Sequence, residues 1–412
     1  MRVLLAVAPG RGHLAVLAPL ARELAARDHE VRMATSRSFC AAVVEAGLRP
    51  VPAGMDWLES DLDRFFPQLA SLDPVRKSAA LGRVFAYFAP RTMVPDLRAL
   101  VGAWRPEVVV VEPGAAAGRL VAELHDLPCA VVCGTIPTPG LAVALPAGEA
   151  GLLAMREALV GPHSRASLRR ELGLPADEPE PALFLDMVPP SLHLLTARHL
   201  RRFAHPMRPG AYDPPPPGTE DWSWLESLPA DRPTVHLSLG TVFHRVPAVL
   251  RAAVEGLARL RGSLVVALGD LAAAELGPVP PDVRLVRWAP HDRLLPRCDL
   301  FVTHGGISSV MKSLACGVPM LVLPQGGDQH VNALRLRSTG AGRFLEAGQV
   351  TAEAVAREAR RLLEHPVHRL SAERLREEIE AMPPLEHGVD LVERLARDGQ
   401  PVEAGAAPPV LL

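Results

Sequence analysis

A strand that stops at two glycines, resumes as a helix and then repeats the pattern leaves a chain few folds to choose from, and residues 300–332 read LFVTHGGISSVMKSLACGVPMLVLPQGGDQHVN. Residues 300–303 are an apolar run of strand type, broken at His304-Gly305-Gly306, and residues 307–316 carry a helical pattern that Gly317 and Pro319 end. A second apolar run at 320–323 stops at Pro324-Gln325-Gly326-Gly327 and delivers Asp328 and Gln329 to another helix start. Strand, helix and strand in that order predict the parallel sheet of an α/β protein, whose strand ends open on one carboxyl edge.

The first turn of a helix leaves amide N–H groups unpaired and carries the positive end of the helix dipole. Gly305 and Gly306 in the turn before it let an anion approach those donors, which suits a phosphate. Beside them, Asp328 accepts hydrogen bonds while Gln329 both accepts and donates, as several vicinal hydroxyls of a sugar require. These residues point to a nucleotide sugar.

With HGGISSVMKSLACGVP followed by PQGGDQHVNA, the chain resembles the nucleotide-sugar-dependent glycosyltransferases of GT-B fold. The resemblance is to the natural-product group that glycosylates antibiotic aglycones, related to the UDP-glycosyltransferases, whose donor signature runs HGGxGTTxEALxxGVP and then PxxxDQxxNA. It implies two Rossmann-like α/β domains facing across a cleft, with the acceptor on the first and the donor on the second. It also implies site roles. His304 lies against the diphosphate, with Gly305, Gly306, Ser308 and Ser309 giving close contacts; Ser238, Gly240 and Thr241 belong to the diphosphate-touching SLGT loop. Trp288 and Ala289 open a WAPH segment, written WAPQ in many relatives, where the indole stacks on the nucleobase; Asp328, Gln329 and the first-loop Gly12 complete the donor set. Two positions depart from the pattern: Ser308 replaces a Gly, and Lys312 replaces the Glu that holds the ribose hydroxyls. Lys312 is compatible with a deoxyribose, so dTDP-sugars are preferred to UDP-sugars, and Gly326-Gly327 resembles antibiotic-pathway members. No DxD-type carboxylate pair lies near the donor stretch, and the resemblance implies inverting transfer with no metal or other cofactor.

The first loop admits two readings. Residues 3–8 are an apolar strand, Pro9-Gly10-Arg11-Gly12-His13 follows, and Leu14, Leu17, Leu20 and Leu24 share one side of a helix that either begins at Pro19 or kinks there. Residues 30–34 complete a strand, helix and strand unit. Gly10-Arg11-Gly12-His13-Leu14-Ala15 fits the GxGxxG/A dinucleotide fingerprint, but Thr35, Ser36 and Arg37 stand where an NAD site needs an acid. Arg37 keeps an NADP-dependent oxidoreductase as the alternative. The resemblance instead makes His13 the base that removes the acceptor's hydroxyl proton, a task that suits an imidazole titrating near neutrality. Glu112, at the end of the apolar run 108–111, is the candidate partner carboxylate, with helix capping as its other role and Asp96 and Asp126 as weaker substitutes. A small-residue helix at 115–120 follows it. A catalytically silent partner protein of the same family is the third reading.

At 412 residues the chain needs two or three cores. The run HPMRPGAYDPPPPGTE marks a boundary, giving an acceptor domain at 1–205, a Pro-rich linker at 206–222, a donor domain at 223–382 and a helix at 383–399 that crosses back to the first domain. The second half repeats the architecture, with strands at 234–239, 264–268 and 283–286 and helices at 246–260, 351–363, 367–381 and 385–397. Residues 55–93 gather Trp57, Phe65, Phe66, Phe85, Tyr87 and Phe88, of which Phe65, Phe66, Tyr87 and Phe88 are taken as an acceptor wall together with loops at 135–145; filling the domain's own core is the equal alternative. A net charge of −2, from 44 basic and 46 acidic residues, gives no global field for nucleic acid or an anionic membrane, and the basic run at 199–202 reads as a solvated rim. Five cysteines form no CxxC pair; Cys129 and Cys133 lie about 13 Å apart on one strand, too far to share a metal, and all five read as buried, reduced thiols. With no membrane-length apolar run, a cytoplasmic enzyme is expected, as monomer or homodimer.

Overall fold

Four consecutive valines at 108–111 have no polar face to offer water, and all four are buried in the centre of a sheet. The computed structural model describes residues 1–69, 71, 74–136, 162–193, 203–210, 212, 221–240, 246–269, 271–280 and 282–404. The chain divides into two compact units: one of Met1–Val188, His193–Tyr212 and Met382–Leu412, the other of Pro189–Leu192 and Asp213–Ala381.

In the first unit, strands β1 (Arg2–Ala6), β2 (Glu30–Thr35), β3 (Pro50–Pro52), β4 (Val108–Val111), β5 (Cys129–Cys133), β6 (Leu183–Asp186) and β7 (Ala204–Pro206) form one sheet in the order β3-β2-β1-β4-β5-β6-β7. Every pairing is parallel. Side chains alternate across it. Val3, Leu5, Val108 and Val110 face a core shared with the helices Arg11–Ala26 and Leu385–Asp398, while Leu4, Ala6, Val109 and Val111 face the helices Ala89–Trp104 and Ala116–Leu124. Leu5 is wholly buried. Truncation of such a side chain to Ala costs about 2–5 kcal/mol.

The first helix begins at Arg11 and runs unbroken through Pro19, so the start at Pro19 entertained above is not the one adopted. Edge strand β7 takes in His205 and Pro206, and Met207 and Tyr212 are buried in the first core, whereas Trp222 and Leu225 are buried in the second unit. The linker assigned to 206–222 is thus structured at both ends; its four-proline run lies in 213–220, outside the described residues. Pro383 and Pro384 separate the helix Pro366–Ala381 of the second unit from Leu385–Asp398 of the first.

In the second unit, β8 (Thr234–Ser238), β9 (Ser263–Ala267), β10 (Val283–Val286), β11 (Leu300–Thr303), β12 (Met320–Val322) and β13 (Gly342–Phe344) form an all-parallel sheet in the order β10-β9-β8-β11-β12-β13. In both sheets the strand order reverses once, between β1 and β4 and between β8 and β11. The crevice beyond the carboxyl ends of such a strand pair is where open α/β sheets bind ligands. No helix among the described residues is long and apolar enough to cross a membrane. All five cysteines are free, but Cys40, Cys129 and Cys316 are only half-buried, a correction to the fully buried thiols expected above.

Candidate active site

The switch point of the first sheet is built by the chain leaving β1 and β4. After β1 the backbone reaches Gly10, extended at φ −142°, and enters the helix that carries His13 in its first turn. After β4 it places Glu112, then folds back through Gly114 into the helix Ala116–Leu124. That helix is rich in small residues for a steric reason: a Cβ on Gly118 would stand 2.4 Å from Val111 Cγ1.

The two side chains meet. His13 Nδ1 lies 2.9 Å from Glu112 Oε2. Glu112 is 3% exposed, and its carboxylate also accepts the Ala8 N–H at 3.0 Å and the Gly114 N–H at 2.6 Å. Burial pushes the Glu112 carboxyl up, but the His13 charge and hydrogen bond, with the two amides, outweigh it and hold the carboxyl below its ordinary value. Burial likewise pulls the His13 imidazole down, and Glu112, then Glu59, outweigh it and hold it well above its ordinary value. Glu112 therefore fixes the tautomer with Nδ1–H toward itself and leaves Nε2 as the nitrogen with a free lone pair in the neutral ring. Asp96 and Asp126 serve elsewhere: Asp96 accepts the Gly54 N–H at 2.8 Å, and Asp126 sits in a left-handed turn at φ 51°.

Glu59 went unnoticed in the sequence. It belongs to a short turn, Glu59–Asp61, with no periodic pattern to mark it, and its Oε2 lies 3.7 Å from His13 Nε2. The same carboxylate covers Gly10, where a Cβ would stand 2.1 Å from Oε2. A dinucleotide fingerprint brings a pyrophosphate to this glycine turn, and an anionic side chain lying over the turn opposes it. The NADP alternative loses its support here.

The aromatic residues divide. Phe66 and Trp57 are buried in a small cluster with Leu62, Leu69 and Val84, against which Phe65 packs. Tyr87 is buried, with its hydroxyl donating to Glu171 at 2.6 Å, and Phe88 is 40% exposed. The ring that reaches His13 is Phe85, with centroids 5.6 Å apart. Phe85 and Phe88 lie in a π-helical turn, Val84–Phe88, whose extra residue rotates the side chains off any regular helical face. Of the expected acceptor wall, Phe66 and Tyr87 are core residues in this structure, and residues 137–145 lie outside those described. A hollow beside the dyad is lined by Pro9, Met55, Trp57, Pro90, Met93 and Gly114 among others.

In the second unit the switch point brings together Ser238 at the end of β8, Gly240 beyond it, and His304, Gly305 and Gly306 after β11. Gly240 and Gly305 take left-handed backbone, at φ +76° and +88°. The His304 ring lies between two bare backbones, since a Cβ would stand 2.4 Å from its Cε1 at Gly240 and 2.5 Å from its Nε2 at Gly306. The helix Ile307–Ala315 starts at Gly306, which makes no side-chain cap hydrogen bond, and Ser308 and Ser309 lie in its first turn. Thr241 lies outside the described residues.

Asn332, also missed, ties this turn to the sugar-type residues. Its Nδ2 donates to the Gly305 carbonyl at 2.9 Å and to Asp328 Oδ2 at 3.0 Å. Gln329 is 3% exposed, and its Oε1 accepts the amides of Gln325 at 2.7 Å and Gly326 at 3.1 Å, which makes it a brace for the loop. Trp288 is half-buried with its ring 6.3 Å from that of Trp222, and Ala289 is buried. A cavity of about 350 Å³, lined by Leu268, Gly269, Leu285, Val286 and Arg287, opens at the ends of β9 and β10. Beneath this edge His236 and His291 face each other, with Nε2 atoms 3.3 Å apart and His236 Nδ1 3.0 Å from the Val265 carbonyl.

Comparison with known proteins decides the family. The N-terminal domain of the Erythromycin biosynthesis protein CIII-like family matches residues 22–240, and its C-terminal domain matches residues 251–395. The chain belongs to this family of natural-product glycosyltransferases. It is 30% identical to 4'-demethylrebeccamycin synthase of Lentzea aerocolonigenes, over 96% of this chain and 99% of that one. Among solved structures it matches the glycosyltransferase SnogD of Streptomyces nogalater, at 28% identity and a TM-score of 0.71, over 96% and 99% of the two chains. It also matches the spinosyn rhamnosyltransferase SpnG complexed with thymidine diphosphate, at 27% identity and a TM-score of 0.74, over 95% and 100%. The two parallel-sheet domains described above are those of the GT-B glycosyltransferases.

Proposed function

We propose that this EryCIII-like transferase moves a sugar, by preference a deoxysugar, from a dTDP-sugar to a hydroxyl of a hydrophobic natural-product aglycone, inverting the anomeric carbon. The observation that carries the reading is the His13–Glu112 contact at the β1/β4 switch point, an imidazole whose Nδ1 is held by a buried carboxylate and whose Nε2 is turned away from it. His13 Nε2 takes the acceptor's proton, the acceptor oxygen attacks the anomeric carbon, and the bond to the nucleoside diphosphate breaks on the opposite face. Glu112 stabilises the imidazolium that forms. The open start of the helix Ile307–Ala315, with His304 beside it, meets the charge of the leaving diphosphate, and this reading calls for no metal. Bound thymidine diphosphate in a relative of the same length supports dTDP over UDP, as does Lys312 in the place of a ribose-binding acid. The Phe85 ring against His13 gives an apolar surface that suits an apolar aglycone. Five free thiols suit the reducing cytoplasm.

Thermal melting with dTDP, UDP and NADPH tests the donor side, because a ligand selective for the native state raises Tm. dTDP is expected to give the largest rise. Stabilisation by NADPH alone would overturn the reading, and no response to any nucleotide would favour a silent partner protein. The anomeric coupling constant of the product glycoside then decides between inversion and retention.

A further inference from the structure

Glu59 stands at the ring nitrogen that this reaction needs open. Its Oε2 is 3.7 Å from His13 Nε2, beyond a direct hydrogen bond, and its side chain is 17% exposed. The placement is built into the first loop: the Glu59 N–H donates to the Pro9 carbonyl at 3.0 Å, and the carboxylate lies over the bare backbone of Gly10. Among the described residues, the charged groups acting on the imidazole are Glu112 from the end of β4 and Glu59 from its turn; the Phe85 ring and the Gly114 backbone are its other neighbours.

An acceptor oxygen about 2.8 Å from Nε2 comes within reach of the Glu59 carboxylate as well. A hydroxyl has a single proton. Donated to Nε2, it leaves only lone pairs toward Glu59, and that oxygen gains negative charge as the proton departs. A carboxylate beside it opposes the transfer unless a further donor lies between them.

We propose that Glu59 binds the acceptor and selects a hydroxyl with a second O–H or N–H donor next to it, as in a vicinal diol, a catechol or an amino alcohol. This rests on His13 being the base. The second donor gives its hydrogen bond to Glu59, and through it the carboxylate orients the nucleophile instead of repelling it. The proton balance is unchanged: the attacking O–H bond breaks toward His13 Nε2, the new glycosidic C–O bond forms, the diphosphate leaves with the electron pair of the old one, and Glu59 neither gains nor loses a proton.

The test uses the full chain with dTDP-glucose and dTDP-rhamnose as donors and acceptors in matched pairs. Each catechol or vicinal diol is set against its mono-O-methyl ether on the same polyphenol, anthraquinone or macrolide frame. In every pair that reacts, wild type is expected to favour the two-donor member by at least tenfold in kcat/KM. Glu59→Ala should bring that ratio to within about twofold, chiefly by raising turnover of the methyl ether. Glu59→Gln, which keeps the shape and one accepting oxygen, should fall between, and equal melting temperatures for all three proteins exclude a folding defect. A ratio near one in wild type, or a preference that survives in Glu59→Ala, overturns the inference while leaving the His13 mechanism intact. If no acceptor is glycosylated by wild type, or if His13→Ala turns over as fast as wild type, the parent reading falls instead.

Discussion

Each unit holds a histidine against a neighbour at or beneath the carboxyl edge of its sheet, and the pKa values of the two are driven in opposite directions. In the first unit the carboxylates of Glu112 and Glu59 outweigh burial and raise the His13 pKa. In the second, the hydrogen-bond partners of His236 among the described residues are a backbone carbonyl and another histidine; burial prevails and pushes its pKa down to about 4. His291 is pulled well down too, by burial first and then by His236, Lys312 and His304. Burial depresses both, and the partner decides the outcome. The carboxylate-held pair is the one suited to exchange a proton. The neutral pair is a brace: His236 is stacked on Phe301, at 5.0 Å and 3° between rings, and its Nδ1–H goes to Val265, so its Nε2 accepts from His291.

The largest test of that contrast is removal of the carboxylate-held histidine. His13→Ala is expected to lower kcat by about 10,000-fold, near the upper end for a general base, while the rise in Tm with dTDP is kept. The equivalent loss in the second unit, His236→Phe, should leave kcat within about threefold and show itself in stability. If the two results were exchanged, the assignment of base and brace would be wrong.

Glu112→Gln comes next, at about 1,000-fold in kcat, somewhat less than the roughly 10,000-fold lost when the acid of a hydrolase triad becomes an amide. Both carboxylate oxygens accept N–H groups, so an amide must turn its own N–H₂ toward at least one donor. The pH profile adds a sign. The acid limb of kcat/KM reports the free enzyme's base, so in wild type it lies above the ordinary imidazole value, and activity rises as pH climbs through it. Without the carboxylate charge the limb moves to lower pH. An unmoved limb would mean that another group is the base.

How much of this was legible in the residues follows from burial and range. Central strands of parallel sheets are largely apolar on both faces, so β1, β4 and β11 stood out as apolar runs and β8, TVHLS, as a buried strand ending in a glycine turn, and His13, Glu112, Gly240 and His304 beyond them could be placed at a carboxyl edge. The three-residue edge strands β3 and β7, PVP and AHP, carry no such signal. Glu59 was invisible because it meets His13 only through tertiary folding, from a turn without periodicity. Phe85 was obscured by the π-helical turn, and Asn332, although inside a legible motif, shows its purpose only through the carbonyl of Gly305, 27 residues away. His236 reads as one more residue in a strand.

The acid response should separate the two pairs in stability. Each neutral histidine of the second unit has a folded pKa below its unfolded one, so its contribution is complete above the ordinary imidazole value and is lost as pH falls from there toward about 4. For His236 alone the loss is about 3 kcal/mol over that window. The sign for His13 is reversed: its contribution is present below the ordinary value and lost as pH rises through the raised one. Denaturant unfolding of wild type and His236→Phe between pH 7 and pH 4 measures the difference, with the variant expected to show the flatter curve. A wild-type curve that is flat over this range would show that His236 is not held neutral.

The smallest effect comes from making the second pair resemble the first. Lys312 adds a positive charge that lowers the His291 pKa, so Lys312→Glu replaces a repulsive neighbour with an attractive one, as Glu112 is to His13. His291 should then titrate higher, and part of the acid sensitivity of the second unit should disappear. The same substitution restores the acid that relatives use for ribose hydroxyls, so the ratio of UDP to dTDP affinity should rise about fivefold, near 1 kcal/mol, the order of a typical net hydrogen bond. Isothermal titration with both nucleotides at pH 7.5 reads this directly. If the ratio moves without any change in acid stability, Lys312 acts on the nucleotide alone; if stability moves and the ratio does not, the preference for dTDP has its origin elsewhere in the site.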